Sequence, residues 1–125
     1  MKKGFTLIEL LAVIVILAII LVIAVPRVMN VISNAKADSF ESSVELLASG
    51  IKNEVMAGTI TANGYCKTNG VNTVPAAVTA AVRYNPDDFG VCTFTVDTNT
   101  YEVTVTATGS ATGKFGTQAS ITVTR

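Results

Sequence analysis

Apolar residues fill the start of the chain almost without interruption. From residue 5 to residue 25 only Glu9 carries a charge, and the 16 residues from Leu10 to Val25 have no polar side chain. At ~1.5 Å per residue, a helix of about 20 residues spans the ~30 Å hydrocarbon core of a bilayer and satisfies its own backbone groups there. The pattern therefore predicts a membrane-spanning helix over residues 5–25.

Helical periodicity continues beyond Pro26. Proline lacks an N–H group and clashes with the preceding turn, so we expect a bend or local opening of the helix there. Apolar positions then recur at spacings of three and four: Val28, Val31, Ile32, Ala35, Phe40, Val44, Leu47, Ala48, Ile51 and Val55. Charged residues lie between them and predict a polar opposite face: Lys36, Asp38, Glu41, Glu45, Lys52 and Glu54. Gly58 is placed to cap a single long helix running from Phe5 to about Ala57.

After the predicted helix, the sequence first becomes rich in turn residues and then alternates between apolar and polar residues. Residues 58–90 are rich in turn signals at residues 63–64, 69–70 and 85–88, with a short helix predicted over residues 75–82. From Val91 apolar residues alternate with polar ones, at Cys92, Phe94 and Val96, then at Tyr101, Val103, Val105 and Ala107, then at Ala119, Ile121 and Val123. This predicts an antiparallel meander of three strands over residues 91–125, with a fourth strand near Arg83 and Tyr84. The predicted fold is α+β, with the second half of the helix packed on a small sheet of 3–4 strands.

Composition and charge exclude several functions. Nine basic and nine acidic residues cancel, and no basic cluster follows the apolar segment, so direct binding of nucleic acid is not expected. The chain has no histidine, no G-x-S-x-G sequence and no phosphate-binding loop, which argues against an enzyme. Asn85, Asp87 and Asp88 match no calcium-loop spacing, so neither a metal site nor a cofactor is predicted.

Two cysteines, Cys66 and Cys92, lie in the part of the chain that follows the membrane segment. In an exported domain such a pair favours one disulfide. The alternative is a pair of free, buried thiols, as expected in a source that lives without oxygen.

Three interpretations compete for the N-terminal segment. A secretory signal has a shorter apolar core and a small-residue cleavage site, and a plain signal anchor does not account for Glu9 within the apolar run. The third interpretation comes from the sequence KKGFTLIELL at residues 2–11. It resembles the class III prepilin leader of the type IV pilin and pseudopilin superfamily. A Gram-positive bacterium is one source compatible with this resemblance.

This resemblance implies a set of roles for the first 26 residues. A prepilin peptidase and methyltransferase would remove residues 1–4 by cutting between Gly4 and Phe5, and would methylate the new amine of Phe5. Glu9 would serve in assembly, and Pro26 would mark a helix kink that helps subunits fit a filament. The side chains left after cleavage number seven basic and nine acidic, a net charge of −2.

Glu9 has a second interpretation that does not depend on the family. A carboxylate in the first turn is favoured by the helix dipole by ~0.3–1 kcal/mol, and this makes it tolerable near the membrane surface. Once the helix packs among other apolar helices, an unpaired carboxylate becomes costly. The resemblance implies that the methylated amine of Phe5 on a neighbouring subunit is its partner.

The sequence therefore predicts a structural subunit of a type IV pilus or pseudopilus. The precursor would cross the cytoplasmic membrane once, with residues 26–125 outside, and the assembly machinery would then transfer it to an extracellular homo-oligomeric helical filament. The flanking basic residues do not decide this orientation, because Lys2 and Lys3 lie on one side and Arg27 and Lys36 on the other. The alternative is a membrane-anchored surface binding module that never polymerises.

Overall fold

A computed structural model describes residues 4–67 and 72–125 of the chain. Its elements, in chain order, are helix α1 (Leu7–Met56), strand β1 (Gly64–Lys67), helix α2 (Ala76–Val82), a 3₁₀ turn (Pro86–Asp88) and strands β2 (Phe89–Asp97), β3 (Glu102–Gly109) and β4 (Ile121–Thr124). The α+β class is as predicted. The chain divides into two compact units between Ala35 and Lys36, and the turn predicted at Asn69 and Gly70 lies outside the described residues.

Helix α1 ends in the way that its glycine predicts. The Thr59 N–H donates to the Glu54 carbonyl at 2.9 Å, and the Gly58 N–H donates to the Val55 carbonyl at 3.0 Å. Gly58 has φ +80°, which a side chain would resist. These features define a Schellman motif, so the predicted cap is confirmed. Helical conformation also continues through Pro26, and the bend there stays a prediction.

The second unit is built around one face of α1. Six side chains of the helix are buried in the core: Phe40, Val44, Leu47, Ala48, Ile51 and Val55. They share one cluster with inward-facing sheet residues, including Phe94, Val103 and Val105. At Gly50 a Cβ atom would come within 2.9 Å of a Val78 methyl, so the missing side chain lets α2 pack closely on α1. The packing of the second half of the helix against the sheet is confirmed.

The fourth strand is not where the sequence placed it. The sheet is antiparallel in the order β1-β2-β3-β4, and β1 pairs with β2 through a bulge between Tyr65 and Lys67. Arg83 instead caps α2 in the left-handed conformation, at φ 52°. Tyr84 follows with a buried ring whose hydroxyl donates to the Cys66 carbonyl. The prediction of a strand at Arg83 and Tyr84 was wrong, because Arg83 ends α2 and Tyr84 lies between that helix end and the 3₁₀ turn.

Tyr101 was also placed wrongly within a strand. It precedes β3, has φ 58° and is exposed, since the chain turns there rather than extending. Asp97 stabilises this turn by accepting hydrogen bonds from the N–H groups of Asn99 and Thr100 at 2.8 and 3.2 Å. Those donors lower the pKa of the Asp97 carboxyl group.

Threonine favours strands, and the threonines of β3 and β4 lie on the face of the sheet that points away from the core. Thr104 pairs with Thr124 and Thr106 with Thr122 across β3 and β4, and each pair of hydroxyl oxygens lies 3.1 Å apart. These bonds join the short strand β4 to its neighbour on the exposed side.

The face of α1 opposite the core is not uniformly charged, as the sequence predicted, but contains a row of uncharged residues. Six exposed positions at alternating spacings of three and four form what we call the outer stripe: Ser39, Ser42, Leu46, Ser49, Asn53 and Met56. At ~100° per residue its mean direction lies about 180° from that of the six buried side chains. None of its members is charged. Among the predicted charged residues, Asp38 shares the direction of Met56 but precedes the stripe in the chain, and the others lie to the sides of the stripe.

A disulfide joins Cys66 of β1 to Cys92 of β2, with 5.0 Å between their Cα atoms. Both cysteines are fully buried. The bond fixes the short strand β1 to the centre of the sheet next to its bulge.

Removing this disulfide is expected to lower the free energy of unfolding by roughly 3.5 kcal/mol, because the unfolded chain regains loop entropy. The test is a urea titration of the full chain in detergent, followed by proteolysis, for the wild type and for Cys66→Ala/Cys92→Ala. Adding a thiol reductant to the wild type should lower its midpoint toward that of the variant. Equal midpoints for all three samples would contradict the prediction.

Tyr84 gives the core a dependence on alkaline pH. Burial raises the pKa of its hydroxyl well above the ordinary value of 10.0. The neutral form is therefore favoured in the folded state, and its stabilising contribution is complete below pH 10 and lost progressively at higher pH. We expect the urea midpoint to fall above pH 10 in the wild type and to fall less in Tyr84→Phe. Parallel pH profiles for the two proteins would count against this assignment.

Candidate processing and assembly site

The bond between Gly4 and Phe5 lies just outside α1. Residues 4–6 precede the first helical residue, Leu7. Phe5 is 92% exposed, and among the described residues no atom beyond the chain neighbours lies within 4 Å of a Cβ atom placed on Gly4. Exposed, non-helical backbone is the kind that proteases cleave. The structure therefore leaves this bond accessible to a peptidase.

A reciprocal pair of hydrogen bonds forms the first turn of the helix. The Thr6 N–H donates to Glu9 Oε2 at 2.8 Å, and the Glu9 N–H donates to Thr6 Oγ1 at 3.3 Å. This is a capping box, in which a threonine at the N-cap and a glutamate three residues later satisfy each other's backbone donors. Thr6 was not among the predicted site residues, although the T-x-x-E spacing before an apolar run is the signature of this motif.

The capping box gives the Glu9 carboxylate a definite direction. One of its oxygens binds the backbone at the helix start, and an ionised carboxylate retains further acceptor sites. The Phe5 nitrogen belongs to a peptide bond in the uncleaved chain, so it carries no charge. Cleavage after Gly4 would convert it to an amine, which is a suitable partner for a carboxylate.

The helix that follows exposes its apolar side chains. Every residue from 10 to 25 is exposed except Ala24, which is half-buried. By length and composition α1 is able to cross a membrane. An apolar surface of this extent needs lipid or other apolar surface around it. Arg27, directly after Pro26, is the first charged residue beyond Glu9.

Polar groups of the second unit have structural partners. The Asn85 side chain accepts from the Asp87 N–H at 3.0 Å. The buried Asp88 carboxylate accepts from the Lys114 N–H at 3.1 Å and lies 3.8 Å from Lys114 Nζ. Within residues 4–67 and 72–125, His, Cys, Asp and Glu side chains form no group able to hold a metal ion. These side chains fix the turn before β2 to the segment between β3 and β4.

Comparison with known families agrees with the geometry of the N-terminus. Residues 1–25 match the family described as the prokaryotic N-terminal methylation motif. Comparisons with curated proteins and with solved structures give no match. The matched segment contains Gly4, Phe5 and the capping box, and it ends just before Pro26. The chain therefore carries the prokaryotic N-terminal methylation motif at the start of the long helix of an α+β protein, and this supports its resemblance to type IV pilins and pseudopilins.

Proposed function

We propose that this protein is a structural subunit of a type IV pilus or pseudopilus filament. In this proposal a prepilin peptidase cuts between Gly4 and Phe5 and the amine of Phe5 is methylated. The mature subunit then polymerises through its N-terminal helix, and its role is structural rather than enzymatic. The observation that carries the proposal is the methylation motif at the start of a helix whose apolar half is exposed on all sides.

The physical argument for polymerisation comes from this apolar surface. In the membrane, lipid surrounds residues 5–25, and in a filament the same residues of other copies replace the lipid. Burial of apolar area contributes ~25 cal/mol per Å² relative to water, so a helix extracted from the bilayer needs a bundle of its own kind. The partners of this chain are then other copies, the processing enzyme, the membrane and the assembly machinery.

The proposal also assigns a location at each stage. The precursor spans the cytoplasmic membrane once, with residues 26–125 on the outer side, and the mature subunit becomes part of an extracellular filament. The basic leader residues Lys2 and Lys3 stay in the cytoplasm, where the processing enzyme removes them.

Mass spectrometry of protein sheared from the cell surface tests this proposal. We expect an intact mass that lacks residues 1–4 and an N-terminal peptide that begins with methylated Phe5. A Gly4→Val precursor is the matched control, and it should keep Met1, remain with the membrane and yield no sheared material. An intact Met1 in wild-type protein that stays with the membrane would overturn the proposal in favour of a simple surface anchor.

A further inference from the structure

The two edges of the sheet differ in how they are protected. The chain covers the β1 edge itself, because the Thr73 N–H donates to the Tyr65 carbonyl at 2.8 Å and the Thr73 hydroxyl accepts from the Tyr65 N–H at 2.8 Å. The bulge between Tyr65 and Lys67 also distorts this edge. Covering segments, bulges and charged residues keep an edge strand from pairing with another chain. The β1 edge therefore has such protection.

The β4 edge shows none of these features among the described residues. β4 is the last strand of the sheet, so only one of its two sides is paired. It pairs with β3 in regular register from Ile121 to Thr124, and these residues include no charge, no proline and no glycine. Thr122 and Thr124 are exposed. An uncharged, regular and uncovered edge is a template for a further strand.

Hydrogen bonds at the end of β4 identify the backbone groups that face outward. Val103 and Arg125 exchange two N–H···O bonds of 2.8 Å each, which makes them a hydrogen-bonded pair. In an antiparallel ladder such pairs alternate with non-hydrogen-bonded ones. The register then directs the Val123 groups to β3, and it directs the N–H and C=O groups of Thr122 and Thr124 away from β3. The outward groups of these two threonines form the open edge.

A second copy of β4 complements this edge. When two β4 strands run antiparallel with Val123 opposite Val123, each Thr122 lies opposite the Thr124 of the other copy. All outward N–H and C=O groups of these threonines can then pair with one another. At ~3.4 Å per residue the two Arg125 residues lie about 14 Å apart along the strands, beyond the ~10 Å Debye length at 0.1 M salt. The pairing therefore brings no like charges together.

The threonines of the sheet give a second reason for this partner. They form two rows across β2, β3 and β4, namely Thr93–Thr106–Thr122 and Thr95–Thr104–Thr124. In the antiparallel register each row continues into the other row of the second copy, so threonine lies opposite threonine across the new contact. Threonine pairs across strands are stabilising, and such hydroxyl pairs already join β3 to β4 at 3.1 Å. The pattern is therefore complementary to itself.

We propose that the β4 edge is a self-association surface that pairs with the β4 edge of a second copy of this chain. The contact is two-fold symmetric, since each strand presents the same groups to the other. Neighbours along one helical filament are related by a screw operation instead, so this contact is separate from those within a filament. The inference goes beyond the proposed function and does not depend on it, because β4 belongs to the second unit and not to the apolar half of the helix.

Disulfide trapping of the full chain in detergent tests this contact. Val123→Cys places a thiol opposite the same residue of the other copy, at a Cα distance that a disulfide can bridge. Micelles are kept in excess over protein, so that the apolar helices of two copies do not share one micelle. We expect mild oxidation to give a dimer linked through position 123, in at least tenfold higher yield than the dimer from Val91→Cys. Val91 is a stringent control, because it lies on β2 and is 52% exposed, so random collisions would favour it.

Two substitutions at Thr124 distinguish edge pairing from other association. In the Val123→Cys protein, Thr124→Pro removes an outward N–H and obstructs an incoming strand, while the bonds from β4 to β3 remain. This change should lower the dimer yield at least tenfold. Thr124→Val keeps the N–H and the strand propensity, so it should retain the yield within about twofold. The urea midpoint of the second unit and an intact Cys66–Cys92 disulfide check that both variants stay folded.

A dimer yield from Val123→Cys no higher than that from Val91→Cys would overturn the proposal. A yield that Thr124→Pro leaves unchanged would do the same, and so would capture of a different protein instead of a second copy at position 123 in intact cells. These results do not bear on processing at Phe5, so the filament function would stand or fall separately.

Discussion

Replacing Glu9 by alanine is expected to abolish filaments while mature protein remains in the membrane at its normal level. The apolar segment is unchanged in this variant, so insertion and cleavage after Gly4 should proceed. What is lost is the only carboxylate in residues 5–25, and with it the proposed partner for the amine of Phe5 on a neighbouring copy. Filament yield after shearing and membrane-bound mature protein are the two quantities to measure.

Thr6→Ala is the matched control for the capping role of Glu9. It removes the hydroxyl that accepts from the Glu9 N–H, which costs about 0.5–2 kcal/mol at a helix start, but it keeps the carboxylate. We expect this variant to assemble, with at most a several-fold lower yield. Normal filaments from Glu9→Ala would refute the assembly role, and equal losses in both variants would show that Glu9 acts only by capping the helix.

Replacing Phe40 by alanine is expected to have the largest effect on the stability of the second unit. Phe40 is buried on α1, with its ring centroid 5.6 Å from that of Phe89 and 5.7 Å from that of Phe115. Deleting a buried phenylalanine ring typically costs about 3–5 kcal/mol, because it loses transfer energy and leaves a cavity. Domains are stable by only about 5–15 kcal/mol. The substitution would therefore remove much of the free energy of unfolding of this unit.

The measurement is the urea midpoint of the full chain in detergent, read by pulse proteolysis of the second unit. Leu46→Ala is the control on the same helix, since Leu46 is an exposed member of the outer stripe and should change stability by less than about 0.5 kcal/mol. A Phe40→Ala midpoint as high as that of Leu46→Ala would mean that the aromatic cluster contributes little.

The sequence predicted best those features that long periodic patterns encode. The spacing of apolar residues from Phe40 to Val55 determined both the helix and its buried face, and Gly58 determined its end. Alternation in β2 and β3 was equally clear. The class III leader was readable because its residues are contiguous, and the methylation-motif match covers the same segment.

The features that were missed depend on contacts between distant residues. Strand β1 has only four residues and begins with a glycine that reads as a turn. The backbone of β1 also bonds to Thr73, whose hydroxyl accepts from the Tyr65 N–H at 2.8 Å. A contact of this kind leaves no periodic pattern in the sequence. Tyr101 alternates correctly with Val103, yet its positive φ places it in the turn. The uncharged stripe was hidden because charged neighbours fill the intervening positions.

The capping box at Thr6 and Glu9 has a consequence for the entropy of assembly. A free glutamate side chain loses up to about 1.5–2 kcal/mol of rotamer freedom when it is ordered. In this chain the Thr6 N–H already holds the carboxylate, so much of that loss occurs when the helix forms rather than when subunits meet. A group that is preorganised in this way binds its partner with a smaller entropic penalty. In the proposed filament, each subunit would reach the growing end with its acidic contact already oriented.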